Sequence, residues 1–116
     1  MALAIHLENS SSSTYPYLEI KNKHDGANSG EIRFLKQSSS ADAGDDLGVI
    51  KFRGYSSGNT TLTDYAQIIG ESKTTTSGSE EGQLFIKVKS GGSEIDSLTI
   101  NPTGVGIGNT NPGSQL

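Results

Sequence analysis

The stretch Asn101-Pro102-Thr103-Gly104-Val105-Gly106-Ile107-Gly108-Asn109-Thr110-Asn111-Pro112 lies near the end of the chain, and the remaining segments are organised around it. Glycine alternates here with Val105 and Ile107, and a polar turn closed by Pro112 follows. Alternation places glycine on one face of a strand, where another backbone can approach closely, and the branched side chains on the other face. Because glycine loses much conformational freedom on folding, such a strand is weak alone. The stretch therefore predicts a strand that needs a partner to pack against.

The composition is poor in residues that build a core. Among 116 residues, Leu, Ile, Val and Phe together number 25, which is close to the level at which chains become disordered. The 17 serines and 15 glycines add little buried surface and raise the entropy cost of ordering. The chain is therefore one domain at most, or a segment of a longer protein. It is either partly disordered or buries its few apolar side chains against copies of itself.

Charge and cysteine content exclude several classes of function. The net charge is −4, and the nine basic residues form no cluster, so binding to nucleic-acid phosphates is not expected. No polybasic or amphipathic helical stretch suits a membrane surface. The chain has no cysteine, which excludes disulfides and thiolate metal sites. We therefore expect no nucleic-acid partner, no membrane partner and no cofactor.

A five-residue pattern of glycine, spacer, apolar, spacer, apolar occurs at 30–34, 48–52 and 82–86. Period-two alternation puts the apolar residues of each copy on one face of a strand. Further strands are predicted at 1–7, 18–21, 65–70 and 98–100, separated by polar loops at 37–47, 54–63, 71–81 and 89–96. Residues 62–69 also match helical spacing, which leaves a short helix as the alternative there. The sequence predicts an all-β chain of six or seven short strands.

Two parts of the chain differ in composition. Residues 1–14 combine the first short strand with a serine-rich run that is typical of a linker. Residues 15–116 hold the remaining strands and are expected to form one β-rich domain.

The glycine stretch does not fit a nucleotide-binding loop. The dinucleotide fingerprint needs glycine at its first, third and sixth positions and a helix afterwards. Here Asn109 occupies the sixth position, and Asn111-Pro112-Gly113 is no helix start. Close packing of glycine in a strand is the better interpretation.

Acidic residues and histidines give no convincing catalytic or metal site. Asp42, Asp45 and Asp46 crowd one loop, but their spacing does not fit a calcium loop, so a solvated turn is favoured and a cation shared between chains stays open. The neighbouring carboxylates Asp45–Asp46 and Glu80–Glu81 point to opposite faces of an extended chain and do not converge for glycoside hydrolysis. His6 and His24 lack the spacing of a metal pair. We predict no catalytic and no metal-binding residue, and hence no enzyme.

Four tyrosines are candidates for contact with carbohydrate or protein, since aromatic faces suit both. They are Tyr15, Tyr17, Tyr55 and Tyr65. Tyr65 is expected to pack within the domain. Tyr55 lies in the loop-like run 54–58 and is the predicted exposed contact with a receptor.

The glycine stretch also resembles a motif of tailed-bacteriophage tail fibre and spike proteins. Residues 104–112 are similar to Val-Gly-Ile-Gly-Thr-x-x-Pro, which in those proteins often comes just before a self-cleaving intramolecular chaperone domain. The upstream segments 47–52, 65–68 and 79–85 follow a similar order, so the resemblance covers about residues 17–116. Asn109 departs from the usual threonine, and no chaperone sequence follows. We expect that it was removed by cleavage or that this sequence is a segment of a longer protein.

The resemblance implies a homotrimeric β shaft, intertwined or prism-like, in a tail or head fibre of a phage virion. Its partners would be two further copies, other virion proteins and a host surface glycan. The predicted trimer core is Leu18, Ile20, Ile32, Phe34, Ile50, Phe52, Ile68, Leu84, Ile86, Val88, Leu98, Ile100, Val105 and Ile107. The expected function is structural, in virion attachment or host recognition. A carbohydrate-binding receptor-recognition module is the alternative, and a spike depolymerase is a third hypothesis.

Overall fold

The computed structural model describes residues 3–10, 15–58 and 60–113, and it is an all-β fold with no helix in these ranges. Five strands form one antiparallel sheet in the order in which they occur in the chain. They are β1 (Asp46–Tyr55), β2 (Leu62–Thr74), β3 (Glu81–Ser90), β4 (Ser93–Asn101) and β5 (Gly104–Ile107). The all-β prediction is confirmed. Within the described ranges the prediction of six or seven strands is wrong.

The chain divides into two units, residues 1–33 and 34–116, and the sheet belongs to the second. In the first unit, the described residues form no strand, although 3–7, 18–21 and 30–33 carry the alternating pattern. A local loop is closed by the Asn22 side-chain amide, which donates to the Asn28 carbonyl oxygen at 2.8 Å. The strands predicted at 1–7 (of which 3–7 are described), 18–21 and 30–34 are therefore corrected. Alternation marks a side-chain pattern, but a strand also needs a hydrogen-bonded neighbour, and these segments have none.

The turns between strands are shorter than predicted. The loop assigned to 89–96 is wrong, because β3 runs to Ser90 and β4 begins at Ser93. Gly91 and Gly92 make the whole connection, with φ of 57° and 86°. Two successive residues with positive φ form the turn that matches the twist of a hairpin, and glycine adopts this conformation without steric cost.

The central strand β2 also differs from the sequence interpretation. It begins at Leu62, so the alternative of a helix over 62–69 is wrong, and it continues to Thr74 through part of the predicted loop 71–81. β1 and β3 flank it on both sides, with Ile68 opposite Ile50 and Ile86. Burial against two strands outweighs the weak local preference for a helical turn.

Candidate functional site: an open apolar face

Cross-strand register places most of the large apolar side chains of the sheet on one side, which we call the apolar face, and leaves Val49, Ile69 and Phe85 in one row on the other side. Residues directly opposite each other in neighbouring strands share a face, as do alternate residues within a strand. The central row runs Ile50, Ile68, Ile86, Leu98 and Ile107 across all five strands. The row on one side is Gly48, Gly70, Leu84, Ile100 and Val105, and the row on the other is Phe52, Ala66, Val88 and Ile95.

The apolar face is open to solvent in the single chain. Ile50 is 44% exposed, Phe52 53% and Ile107 80%. Five strands about 4.8 Å apart and three rows about 7 Å apart give the face roughly 400–500 Å². Typical monomers expose a largest apolar patch of about 300–600 Å², and such patches are often functional. Its continuity across all five strands makes this face the candidate functional surface.

The opposite side, which we call the polar face, carries paired charges on either side of the row Val49, Ile69 and Phe85. The Asp64 carboxylate accepts a hydrogen bond from Lys51 Nζ at 2.8 Å and another from Arg53 Nε. The bond from Lys51, followed by that from Arg53, holds the pKa of Asp64 below its usual range. Lys87 Nζ lies 3.2 Å from an Asp96 carboxylate oxygen and 5.6 Å from the centre of the Phe85 ring. These charges suit contact with water.

The chain itself covers part of the polar face with its last turn. Thr99 lies opposite Gly106 and is fully buried, and Pro112 is buried as well. A side chain at Gly106 would overlap the Asn109 backbone, so only glycine fits there. Close backbone approach at the glycine face is confirmed, and the approaching backbone is this chain's own. Val105 and Ile107 consequently point to the apolar face.

A cavity interrupts the apolar face near β1. It has a volume of about 270 Å³ and is lined by Phe34, Leu47, Gly48, Ile50, Ile68, Gly70 and Leu84. Phe34 covers Gly48, since a Cβ on that glycine would lie 2.6 Å from Cβ and Cγ of Phe34. The cavity therefore lies over the two facing glycines, Gly48 and Gly70.

The structure brings ten of the predicted core residues together on the apolar face: Ile50, Phe52, Ile68, Leu84, Ile86, Val88, Leu98, Ile100, Val105 and Ile107. Phe34 contacts this face at Gly48. Leu18, Ile20 and Ile32 belong to the other unit and lie outside the sheet. The sequence pattern does not identify Ile95, because it predicts a loop at 89–96 where the structure has the start of β4. The Gly91-Gly92 turn signal would have placed Ile95 opposite Val88.

Tyr55 lies at the end of β1 with 61% of its surface exposed. Its carbonyl oxygen accepts a hydrogen bond from the Tyr65 hydroxyl at 3.2 Å. The Tyr65 ring reaches Gly54, where an added Cβ would lie 3.4 Å from the ring. Tyr65 thus contacts the neighbouring strand, and the Tyr55 ring is accessible.

The acidic residues singled out in the sequence are held by local partners. Asp45 forms an ion pair of 2.6 Å with Lys36, and Glu81 lies 3.5 Å from Lys73 Nζ. The bond from Lys36, and after it the Asp42 backbone N–H, lower the pKa of Asp45. Hydrogen bonds from the backbone of Glu80 and Gly78 lower the pKa of Glu80. Across the described ranges, no three acidic or histidine side chains are grouped as metal ligands.

The two histidines make local contacts in the first unit. His6 Nε2 lies 3.1 Å from the Glu8 carboxylate, and His24 Nδ1 accepts a hydrogen bond from the Gly26 N–H at 2.9 Å. Each contact spans two residues of an exposed segment.

Comparison with protein-family models and with curated protein sequences gives no match to this chain. Within the residues that the structure describes, none of the elements is a helix of the length and hydrophobicity needed to cross a membrane.

Proposed function

We propose that this chain is a non-enzymatic structural protein of a bacteriophage virion, a homotrimeric segment of a tail or head fibre. One observation carries the proposal, namely the continuous apolar face left open by the single chain. The motif resemblance at 104–112 supplies the fibre context.

The energetic reason for assembly is the lack of an internal core. Among the described residues, the only hydrophobic side chain classed as buried is Ile69, at 7% exposure. Burying an exposed Ile or Phe contributes about 1.5–3 kcal/mol. In a trimer each residue of the apolar face is buried in all three copies, so its contribution counts three times. Association of the three faces around one axis therefore supplies the burial that the isolated sheet lacks.

The difference between the two faces indicates which side of each sheet points to the axis of the proposed fibre. The apolar faces meet at the axis, and the polar faces with their ion pairs point to solvent. Paired charges on the outside oppose pairing with unrelated chains.

Virion location is tested by labelling. An antibody raised against the purified protein should label the fibres of phage particles whose genome encodes this chain. Electron microscopy of the labelled particles shows the position of the antibody. Absence of label from particles, with the protein found only in the soluble fraction, contradicts the proposal. An antibody against a known capsid protein serves as the positive control.

A second candidate function is recognition of a host glycan through Tyr55. The observation in its favour is the accessible ring at the end of β1. A glycan array should show specific binding that is lost in Tyr55→Ala and kept in Tyr17→Ala, which removes an aromatic side chain of the first unit. Equal binding by both variants would reject Tyr55 as the contact.

A further inference from the structure

No contact within residues 3–10, 15–58 and 60–113 explains the glycine at position 70. It lies in the interior of β2, and its φ is not in the positive region. A Cβ added at Gly70 would meet no atom within 4 Å. Glycine weakens the interior of a strand, and it commonly marks a place where another group approaches closely. The open space above Gly70 can therefore receive a further group that packs against the sheet.

Gly48, directly opposite Gly70, provides the contrast. Its missing side chain is replaced by Phe34 of the same chain. Phe34 forms one wall of the 270 Å³ cavity, and Ile50, Ile68 and Leu84 form others. The cavity above Gly70 is thus apolar and suited to an apolar side chain.

Ile107 is the most exposed large apolar side chain of the sheet, at 80%. It belongs to β5, the outermost strand on the side away from β1, and shares the apolar face with Leu98. Gly106 and Gly108 flank it, and neither carries a side chain to shield it. Ile107 therefore projects from one edge of the apolar face, whereas the cavity lies near the opposite edge.

The chain cannot fill its own cavity with this residue. Three strand spacings separate β2 from β5, which corresponds to about 14 Å. If the protruding Ile107 at one edge of a copy enters the cavity near the other edge of the next copy, the two copies make a head-to-tail contact. Contacts of this kind close into rings when the rotation between copies allows it.

We propose that Ile107 of one copy fills the cavity above Gly70 of the next copy, so that three copies form a closed ring. The inference rests on the proposed trimer and names the contact that sets its geometry. The occupant is a second copy of this chain. Three observations support this choice of occupant. The cavity above Gly70 is unfilled, Ile107 protrudes, and both lie on the same open apolar face.

Introduced cysteines test this contact directly, because the natural chain has none. A disulfide needs Cα atoms within about 7 Å. The double variant Gly70→Cys/Ile107→Cys therefore cannot cross-link within one chain. After oxidation it should run as a covalent trimer on a denaturing gel without reductant, and each single variant should run as a monomer.

Other outcomes of the cross-linking overturn the inference. A trimer in solution whose double variant forms no disulfide shows that Ile107 and Gly70 are apart, and the proposed function is unaffected. Covalent dimers of Gly70→Cys alone show two holes facing each other and reject the head-to-tail contact. A wild-type protein that is monomeric removes the proposed trimer and this contact together.

Filling the hole is an independent test. Gly70→Val should convert trimer to monomer at concentrations where Gly113→Val stays trimeric, since a Cβ at Gly113 would also meet no atom within 4 Å but Gly113 is exposed and lies outside both the cavity and the sheet. Adding Ile107→Ala to Gly70→Val should restore the trimer by removing the competing side chain. A fully trimeric Gly70→Val, or a double variant without recovery, contradicts the pairing of these two residues.

Discussion

The two faces of the sheet are built by the same strands and differ in what covers them. On the polar face, charges pair with each other and the last turn covers Thr99 and Gly106. On the apolar face, Ile50, Phe52 and Ile107 remain exposed. Groups of the same chain thus pair with or cover the side chains of the polar face, whereas the apolar side chains of the other face stay exposed. Substitutions on the first should therefore change the stability of the chain, and substitutions on the second should change assembly.

The largest effect is expected from a charge on the apolar face. Ile50→Asp should abolish trimer formation, because each lost Ile contributes about 1.5–3 kcal/mol and a buried unpaired charge costs more. Ile50 is exposed in the single chain, so the sheet itself should survive. Size-exclusion chromatography with light scattering measures the mass, and circular dichroism measures strand content.

Ser57→Asp is the matched control, since it adds the same charge in an exposed turn. It should stay trimeric. Phe52→Asp should behave like Ile50→Asp. If the Ile50 and Phe52 variants remain trimeric and equally heat-stable, the proposed core is wrong.

On the polar face, Gly106→Ala should destabilise the fold by about 1–3 kcal/mol, which is typical of overpacking. The added Cβ would overlap the Asn109 backbone, which cannot move aside as a side chain could. Urea unfolding measures the free energy of unfolding. Gly82→Ala is the control, because its Cβ would meet only the Glu71 carbonyl oxygen at 3.9 Å. Equal stability of the two variants would show that the turn does not press on Gly106.

Thr99→Val should stabilise the fold by about 1 kcal/mol. Thr99 is 0% exposed, and its hydroxyl has no hydrogen-bond partner in the described part of the chain. Valine keeps the shape and removes a buried polar group that lacks a partner. The melting temperature should rise with the oligomeric mass unchanged. A fall in melting temperature would mean that the hydroxyl is bonded in solution.

The smallest effect concerns the pH dependence carried by Asp64. Its pKa is lowered in the folded state, so its contribution to stability is present above the unfolded value of about 3.9 and is lost as pH falls through the folded value. Asp64→Asn should therefore lower the melting temperature slightly near pH 7. The melting temperatures at about pH 7 and about pH 3 should also differ less in this variant than in the wild type. Asp25→Asn, outside the sheet unit, should keep the wild-type dependence. An unchanged pH dependence in Asp64→Asn would reject the role of Asp64.

The sequence predicted the sheet better than it predicted the region before it. Alternation in 48–52 and 82–88 correctly placed Ile50, Phe52, Leu84, Ile86 and Val88 on one face, because period-two patterning follows from strand geometry alone. The same pattern in 18–21 and 30–34 did not yield strands, since alternation does not report whether a neighbouring strand exists. The repeated pattern thus has two outcomes in one chain.

The candidate site was predicted as a residue set and not as a surface. Register joins Ile50 to Ile107 across five strands, and register depends on turn lengths and bulges that the pattern does not reveal. The cavity over Gly70 depends on the facing Gly48, a pairing seen only in the folded sheet. Trimer formation and the role of Tyr55 remain predictions.

Sedimentation equilibrium of the unmodified protein over a range of concentrations measures the oligomeric state on which the proposed fibre depends. We expect a single species with three times the mass of one chain, which persists at the lowest concentration that can be measured. A folded protein with the mass of one chain at every concentration would contradict this expectation, because the apolar face would then be stable without a partner.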